Sequence, residues 1–182
     1  MTDSDHKIDH KLDHKTPLLK RNWVQNTLTF LLVIAIYFAI RPFMQGEVIE
    51  GKAPNIETTS ITGQPIHLTD YRGQPVLIHF WATWCPICEF TKDGIEQVAQ
   101  DYAVINIASQ SDDDAALIRY ALANQMNPDI IVNDEDGQLM KRFGARAVPA
   151  SFLVDKDGNI AFIEVGYTTS IGLKLRLWWL SL

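Results

Sequence analysis

Cys85 and Cys88 are the only cysteines in this 182-residue chain, separated by two residues in the run Phe80-Trp81-Ala82-Thr83-Trp84-Cys85-Pro86-Ile87-Cys88. An apolar, strand-like stretch from Val76 to Trp81 leads into the pair, and a helix-like stretch starting near Cys85 leads out. That order puts the first sulfur at a helix N-terminus, where unpaired N–H groups and the helix dipole favour a thiolate. The second sulfur lies one turn deeper, near enough to close a disulfide. A dithiol that is oxidised and reduced in turn has this geometry. A stabilising staple is the other use of such a pair, but closing so short a loop removes little chain entropy. The pair is therefore read as the active group.

The elements that must hold it follow from the pattern of the chain. Ile56–Ile61 and Pro65–Leu68 read as short strands around the Thr62-Gly63-Gln64 turn. The strand Val76–Trp81 precedes a helix from Cys85 to about Gln100, and Ala103–Ala108 reads as a buried strand. Ser111, with Asp112 to Asp114 after it, predicts a capped helix running to about Met126. These three carboxylates read as capping and solvation in preference to a cation site. A strand at Ile130–Val132, a short helix over 137–143 and a hairpin of Ser151–Val154 with Ile160–Val165 come next. A final helix begins near Thr169 or Ser170, with its aromatic side expected to pack on the sheet. Alternating elements closed by a hairpin predict an α/β domain, a mixed central sheet with helices on both faces.

Upstream lies a different kind of segment. Residues 23–40 carry no charge, and Leu28–Ile40 is almost wholly apolar, long enough to span a bilayer as a helix. Lys15, Lys20 and Arg21 precede it and Arg41 alone follows closely, which leaves the N-terminus in the cytoplasm and residues 44–182 outside. A cleaved signal peptide is the competing reading, but no small-x-small site follows the run. The expected organisation is a polar cytoplasmic tail over 1–22, a transmembrane anchor over 23–43, a tether over 44–52 and a folded domain over 53–182. In the tail, His6, His10 and His14 recur every four residues, as metal ligands sometimes do; a solvated, mixed-charge tail is the plainer reading. Residues 44–182 hold 18 acidic and 10 basic side chains, a net charge of −8 that argues against nucleic acid as a partner.

The Trp-Cys-Pro-x-Cys stretch, followed sixty residues on by Val148-Pro149, resembles the thioredoxin superfamily. The opening Ala53-Pro54-x-Ile56, then Gly63, Leu68 and Gly73-Gln74-Pro75-Val76, resembles its membrane-anchored periplasmic TlpA/ResA-like branch. So does the closing Phe152-Leu153-Val154-Asp155 with Asp157-Gly158, and the suppressor-of-copper-sensitivity D type is similar. The resemblance covers roughly residues 53–182 and implies a thioredoxin-like fold on an inner-membrane anchor, with the domain in the periplasm. It implies Cys85 as the nucleophile, Cys88 as the buried resolving cysteine and Pro149 as a cis proline facing the disulfide. Val148 and the backbone beside Pro149 would pair with an extended substrate chain.

Further roles are expected around this pair. Where thioredoxin carries a buried acid, six residues before the first cysteine, this chain has His79. Either His79 relays the Cys88 proton, or it only packs and hydrogen-bonds. Trp84 is expected at the surface beside the disulfide, in contact with substrate, and Trp81 in the core. Pro86 has no N–H to offer the Cys85 sulfur, and Ile87 brings neither charge nor hydrogen bond. The dithiol is accordingly expected to be less oxidising than roughly −120 mV, the strong-oxidant end of the scale. The expected activity is thiol–disulfide exchange with exported, disulfide-containing proteins, as a reductant fed by a DsbD-like membrane electron donor, with no cofactor and no resident metal. Two alternatives stay open: a Cu(I)-binding module using the same thiolates, and a dedicated reductant of apocytochrome c.

Overall fold

The computed structural model describes residues 18–45 and 51–182, with side chains from 51 onward and over most of 23–39. The chain divides into two units between Arg41 and Pro42. One helix, α1, runs over Leu18–Gln45, and Leu28, Phe30, Leu31, Leu32, Val33 and Ile36 on it are exposed. Among the described residues no helix is long and apolar enough to cross a membrane. The span expected over 23–43 takes in positions 24, 38 and 40–43, whose side chains lie outside that description. The tail with His6, His10 and His14 also lies outside the described residues.

The second unit is built on a six-stranded mixed sheet. Its strands are β1 (Gly51–Lys52), β4 (Val76–Trp81), β5 (Ala103–Ser109), β6 (Ile131–Asp134), β7 (Ala150–Val154) and β8 (Asn159–Val165), in the order β1-β8-β7-β4-β5-β6. β4, β5 and β6 run parallel, while β7, β8 and β1 join antiparallel. A separate hairpin pairs β2 (Glu57–Thr59) with β3 (Pro65–His67).

All six residues of β4 are buried, because the strand is central and covered on both faces. One face carries Ile78 and Phe80 into a cluster with Ile105, Ile107, Phe152 and Phe143. There the rings of Phe80, Phe143 and Phe152 meet at 5.1–5.7 Å between centroids. Full burial of each such side chain contributes about 1.5–3 kcal/mol. The short helix α4 (Gln138–Arg142) and the β2–β3 hairpin cover this side through Leu139, Met140 and Ile66. α2 (Pro86–Ala99), α3 (Asp114–Ala123) and α5 (Ser170–Ser181) cover the other. On α2 the buried residues Cys88, Thr91, Ile95 and Val98 fall at helical spacing, so one stripe meets the sheet.

Two expectations are corrected. α3 is capped by Asp113, whose carboxylate accepts the Ala116 N–H at 2.8 Å, and not by Ser111. The Ser111 hydroxyl is engaged elsewhere, at the active loop. The aromatic side of α5 does not pack on the sheet: Leu173 and Leu177 are buried, while Trp178 and Trp179 are 52% and 65% exposed. The aliphatic residues four apart fill the groove against β4 and β7, which leaves the tryptophans on the outer side.

Candidate active site

The dithiol sits where β4 ends and α2 begins. Cys85 is the N-cap of α2 and Pro86 its first residue, a position where the missing proline N–H costs nothing. The Cys85 Sγ accepts the Cys88 N–H at 3.2 Å, so a backbone dipole points at the sulfur that must carry charge when a disulfide breaks. Both cysteines are buried free thiols, at 7% and 4% exposure.

Neighbouring loops hold this turn in place. The Ser111 hydroxyl accepts the Thr83 N–H at 3.2 Å and donates to the Ser109 carbonyl at 3.2 Å. Trp84 lies at the surface, 61% exposed, and its Nε1–H donates to the Gln110 carbonyl at 2.8 Å. Gln110 has φ +49°, the left-handed region, which turns that carbonyl toward the indole. Behind the loop, Asp134 accepts from the Ser109 hydroxyl and from the N–H groups of Leu139 and Met140, at 2.8–3.0 Å. This one buried carboxylate ties β5, β6 and α4 together.

Val148-Pro149 is cis and opens β7, which lies beside β4. The Cys85 thiol faces the Val148 carbonyl at 3.7 Å, and the Pro149 carbonyl accepts the Gly166 N–H at 2.8 Å. The structure therefore brings Cys85, Cys88, Trp84, Pro86, Val148 and Pro149 together across 60 residues of chain.

His79 is on the covered face of β4, between Ser151 of β7 and Asn106 of β5 in register. Its Nδ1 is 2.8 Å from the Ser151 hydroxyl. Burial pushes its pKa down to about 3, so the imidazole is neutral at pH 7. Cys88 is shifted the opposite way, up to about 12, chiefly because burial penalises the thiolate and secondly through its hydrogen bond with Cys85. His79 and Cys88 line one small pocket with Trp81, Lys92, Ile95, Asn106, Tyr120 and Met126. The sequence reading did not single out Asn106, Lys92 or Tyr120. A lone amide inside the otherwise apolar strand Ala103-Val104-Ile105-Asn106-Ile107-Ala108 was the available signal for the first. Among the described residues no group of three side chains is placed to hold a metal ion.

The chain as a whole matches known proteins. Residues 49–163 fit the model of the AhpC/TSA family. The chain belongs to the AhpC/TSA family. Within this thioredoxin-like group it is 31% identical over 152 residues to the thiol-disulfide oxidoreductase ResA of Bacillus thuringiensis subsp. konkukian. That match covers 78% of this chain and 87% of the relative. It is 30% identical over 156 residues to the thiol:disulfide interchange protein DsbE of Pseudomonas aeruginosa, covering 81% and 86%. Among solved structures, StoA from Bacillus subtilis superposes with a TM-score of 0.59 at 25% identity, over 68% of this chain and 96% of StoA. The thioredoxin-like resemblance read from the Trp-Cys-Pro-x-Cys stretch holds.

Proposed function

We propose that this AhpC/TSA member is a membrane-tethered thiol–disulfide oxidoreductase that reduces disulfides in exported proteins through Cys85 and Cys88. The observation that carries the exchange chemistry is the Cys85 sulfur, held at the start of α2 by the Cys88 N–H and facing Val148 beside Pro149. The Cys85 thiolate attacks a substrate disulfide and forms a mixed disulfide. Cys88 then attacks Cys85 Sγ, closes the intramolecular disulfide and releases the substrate thiol. An extended substrate segment is taken to lie along Val148-Pro149, with the exposed Trp84 ring at its side. The reducing direction rests on Pro86-Ile87, which add no charge or donor beside Cys85, and it calls for a membrane electron donor of DsbD-like type.

Tethering rests on the uncharged run 23–40 and the basic residues before it. The 28 residues of α1 make a helix of roughly 42 Å. This reading puts the domain in the periplasm. Alkaline extraction of membranes tests this part: the full chain should stay in the pellet, and its release into the supernatant would overturn the anchor.

Insulin reduction with the full chain tests the chemistry. Turbidity should develop with the wild type plus a low concentration of dithiothreitol and be lost with Cys85→Ser. A wild type inactive in this assay that instead holds one Cu(I) per chain would favour metal binding over exchange.

A further inference from the structure

The release step demands that Cys88 lose a proton from a site closed to bulk solvent, and the sheet beneath it carries a polar row. Ser151, His79 and Asn106 stand side by side on β7, β4 and β5, separating the apolar cluster around Trp81 from that around Leu77. The pocket that His79 and Asn106 share with Cys88 leaves about 10 Å³ free, near the volume that one water needs. Two of its walls present buried polar atoms with no hydrogen-bond partner within the protein, Trp81 Nε1 and Asn106 Oδ1. Trp81 is 4% exposed and Asn106 1%. One donor and one acceptor on two residues that line the same pocket, each costly to leave unmet, are what a bound water requires.

The outer wall is Lys92, one turn after Cys88 on α2, with its side chain 18% exposed. Its ammonium is fixed by Glu89 and by the Asn124 side-chain oxygen at 2.6 Å. Tyr120, its ring tilted against that of Trp81 at 5.5 Å between centroids, donates its hydroxyl to Glu89 at 3.0 Å. The charged and titratable groups around Cys88 are thus Cys85, Lys92 and Glu89 on its own side, His79 from β4 and Tyr120 from α3. Glu96, further along α2, accepts the Asn127 N–H and is not part of the pocket wall. Lys92 brings the cation of this set, and it lines the pocket while its side chain keeps some exposure to solvent.

We propose that the Cys88 proton leaves through a water held by Trp81 and Asn106 and exits past Lys92, which is the positioning residue for release of the mixed disulfide. The Cys88 S–H bond breaks and its proton passes to the pocket water and on to solvent. The sulfur's electron pair attacks Cys85 Sγ, the Cys85–Cys88 bond forms, and the Cys85–substrate bond breaks. The departing sulfur keeps the electron pair and takes a proton from solvent. Lys92 favours the transient thiolate through its charge, while His79, neutral and turned to Ser151, supports the wall without carrying the proton. This inference rests on the exchange reading above.

Reaction of the reduced full chain in detergent with 5,5′-dithiobis(2-nitrobenzoate) tests both in one trace. Attack by Cys85 gives a first release of the coloured thiolate, and attack by Cys88 on that adduct gives a second. In Lys92→Met the ratio of second to first rate should fall several-fold at pH 7, because the pocket beside Cys88 loses its cation. The pH profile of the second phase should move to higher pH, and Lys92→Arg should restore both. Asn106→Leu should slow the second phase likewise. An unchanged ratio and profile in Lys92→Met, with slowing in His79→Asn instead, would overturn the Lys92 route and return the relay to His79. Absence of any second phase in the wild type would instead overturn the exchange reading itself.

Discussion

Acid should destabilise this protein in part through one buried residue, His79. Its imidazole takes up a proton near pH 6.5 in the unfolded chain, but burial lowers that to about 3 in the folded one. The unfolded state therefore binds the extra proton between these values, and stability is full above pH 6.5 and lost as pH falls toward 3. With those two values, the loss is about 2 kcal/mol at pH 5 and about 3 kcal/mol at pH 4. That is a large part of the roughly 5–15 kcal/mol that holds a typical domain. The comparison variant is His79→Asn, which keeps a polar partner for Ser151 but does not titrate. Urea unfolding of the full chain in detergent, followed by tryptophan fluorescence at pH 7 and pH 5, gives both free energies. Carboxylate contributions are common to the two proteins and cancel in the difference. The wild type should lose about 2 kcal/mol more than His79→Asn between these pH values. Equal losses would refute the buried, neutral histidine and with it the argument that His79 does not carry the Cys88 proton.

Two further substitutions test how the site is held. Asp134→Ala leaves the Leu139 and Met140 N–H groups and the Ser109 hydroxyl without their acceptor, and should cost about 2–3 kcal/mol in the same urea assay; a cost under half a kcal/mol would contradict the tie between β5, β6 and α4. Trp84→Ala removes the indole bonded to the Gln110 carbonyl and the apolar surface beside Cys85. It should raise KM for a peptide disulfide several-fold while leaving global stability within about 0.5 kcal/mol, as for an exposed side chain; an unchanged KM would take Trp84 out of substrate contact.

How far the sequence reached depended on the range of the interaction. The strand Val76–Trp81 matches β4 residue for residue, because a central strand buried on both faces is a continuous apolar run. The helix from Cys85 was legible for the same kind of reason, with its cap, proline and apolar stripe all local. Ser111 has the spacing of a cap, but the choice between it and Asp113 depends on Thr83, 28 residues away. The tryptophans of α5 have the size of core residues, yet the groove they would enter is filled by Leu173 and Leu177. The pocket under Cys88 was invisible for a deeper reason. Trp81, Lys92, Asn106 and Tyr120 come from four elements, and only the register of β4 with β5 and the packing of α2 and α3 over them make one wall. Cys85, Cys88, Val148 and Pro149, by contrast, were found by a motif whose parts the fold then joined at 3.7 Å.

The central claim is that Cys85 forms, and Cys88 resolves, a covalent bond to substrate. Trapping with Cys88→Ala in the intact cell tests it most directly, with non-reducing electrophoresis and mass spectrometry of the captured species. Mixed disulfides on Cys85 with exported proteins are expected, dissolved by dithiothreitol and absent when Cys85 is also replaced. A Cys88→Ala protein that captures nothing, while the wild-type pair still cycles between thiol and disulfide, would contradict it.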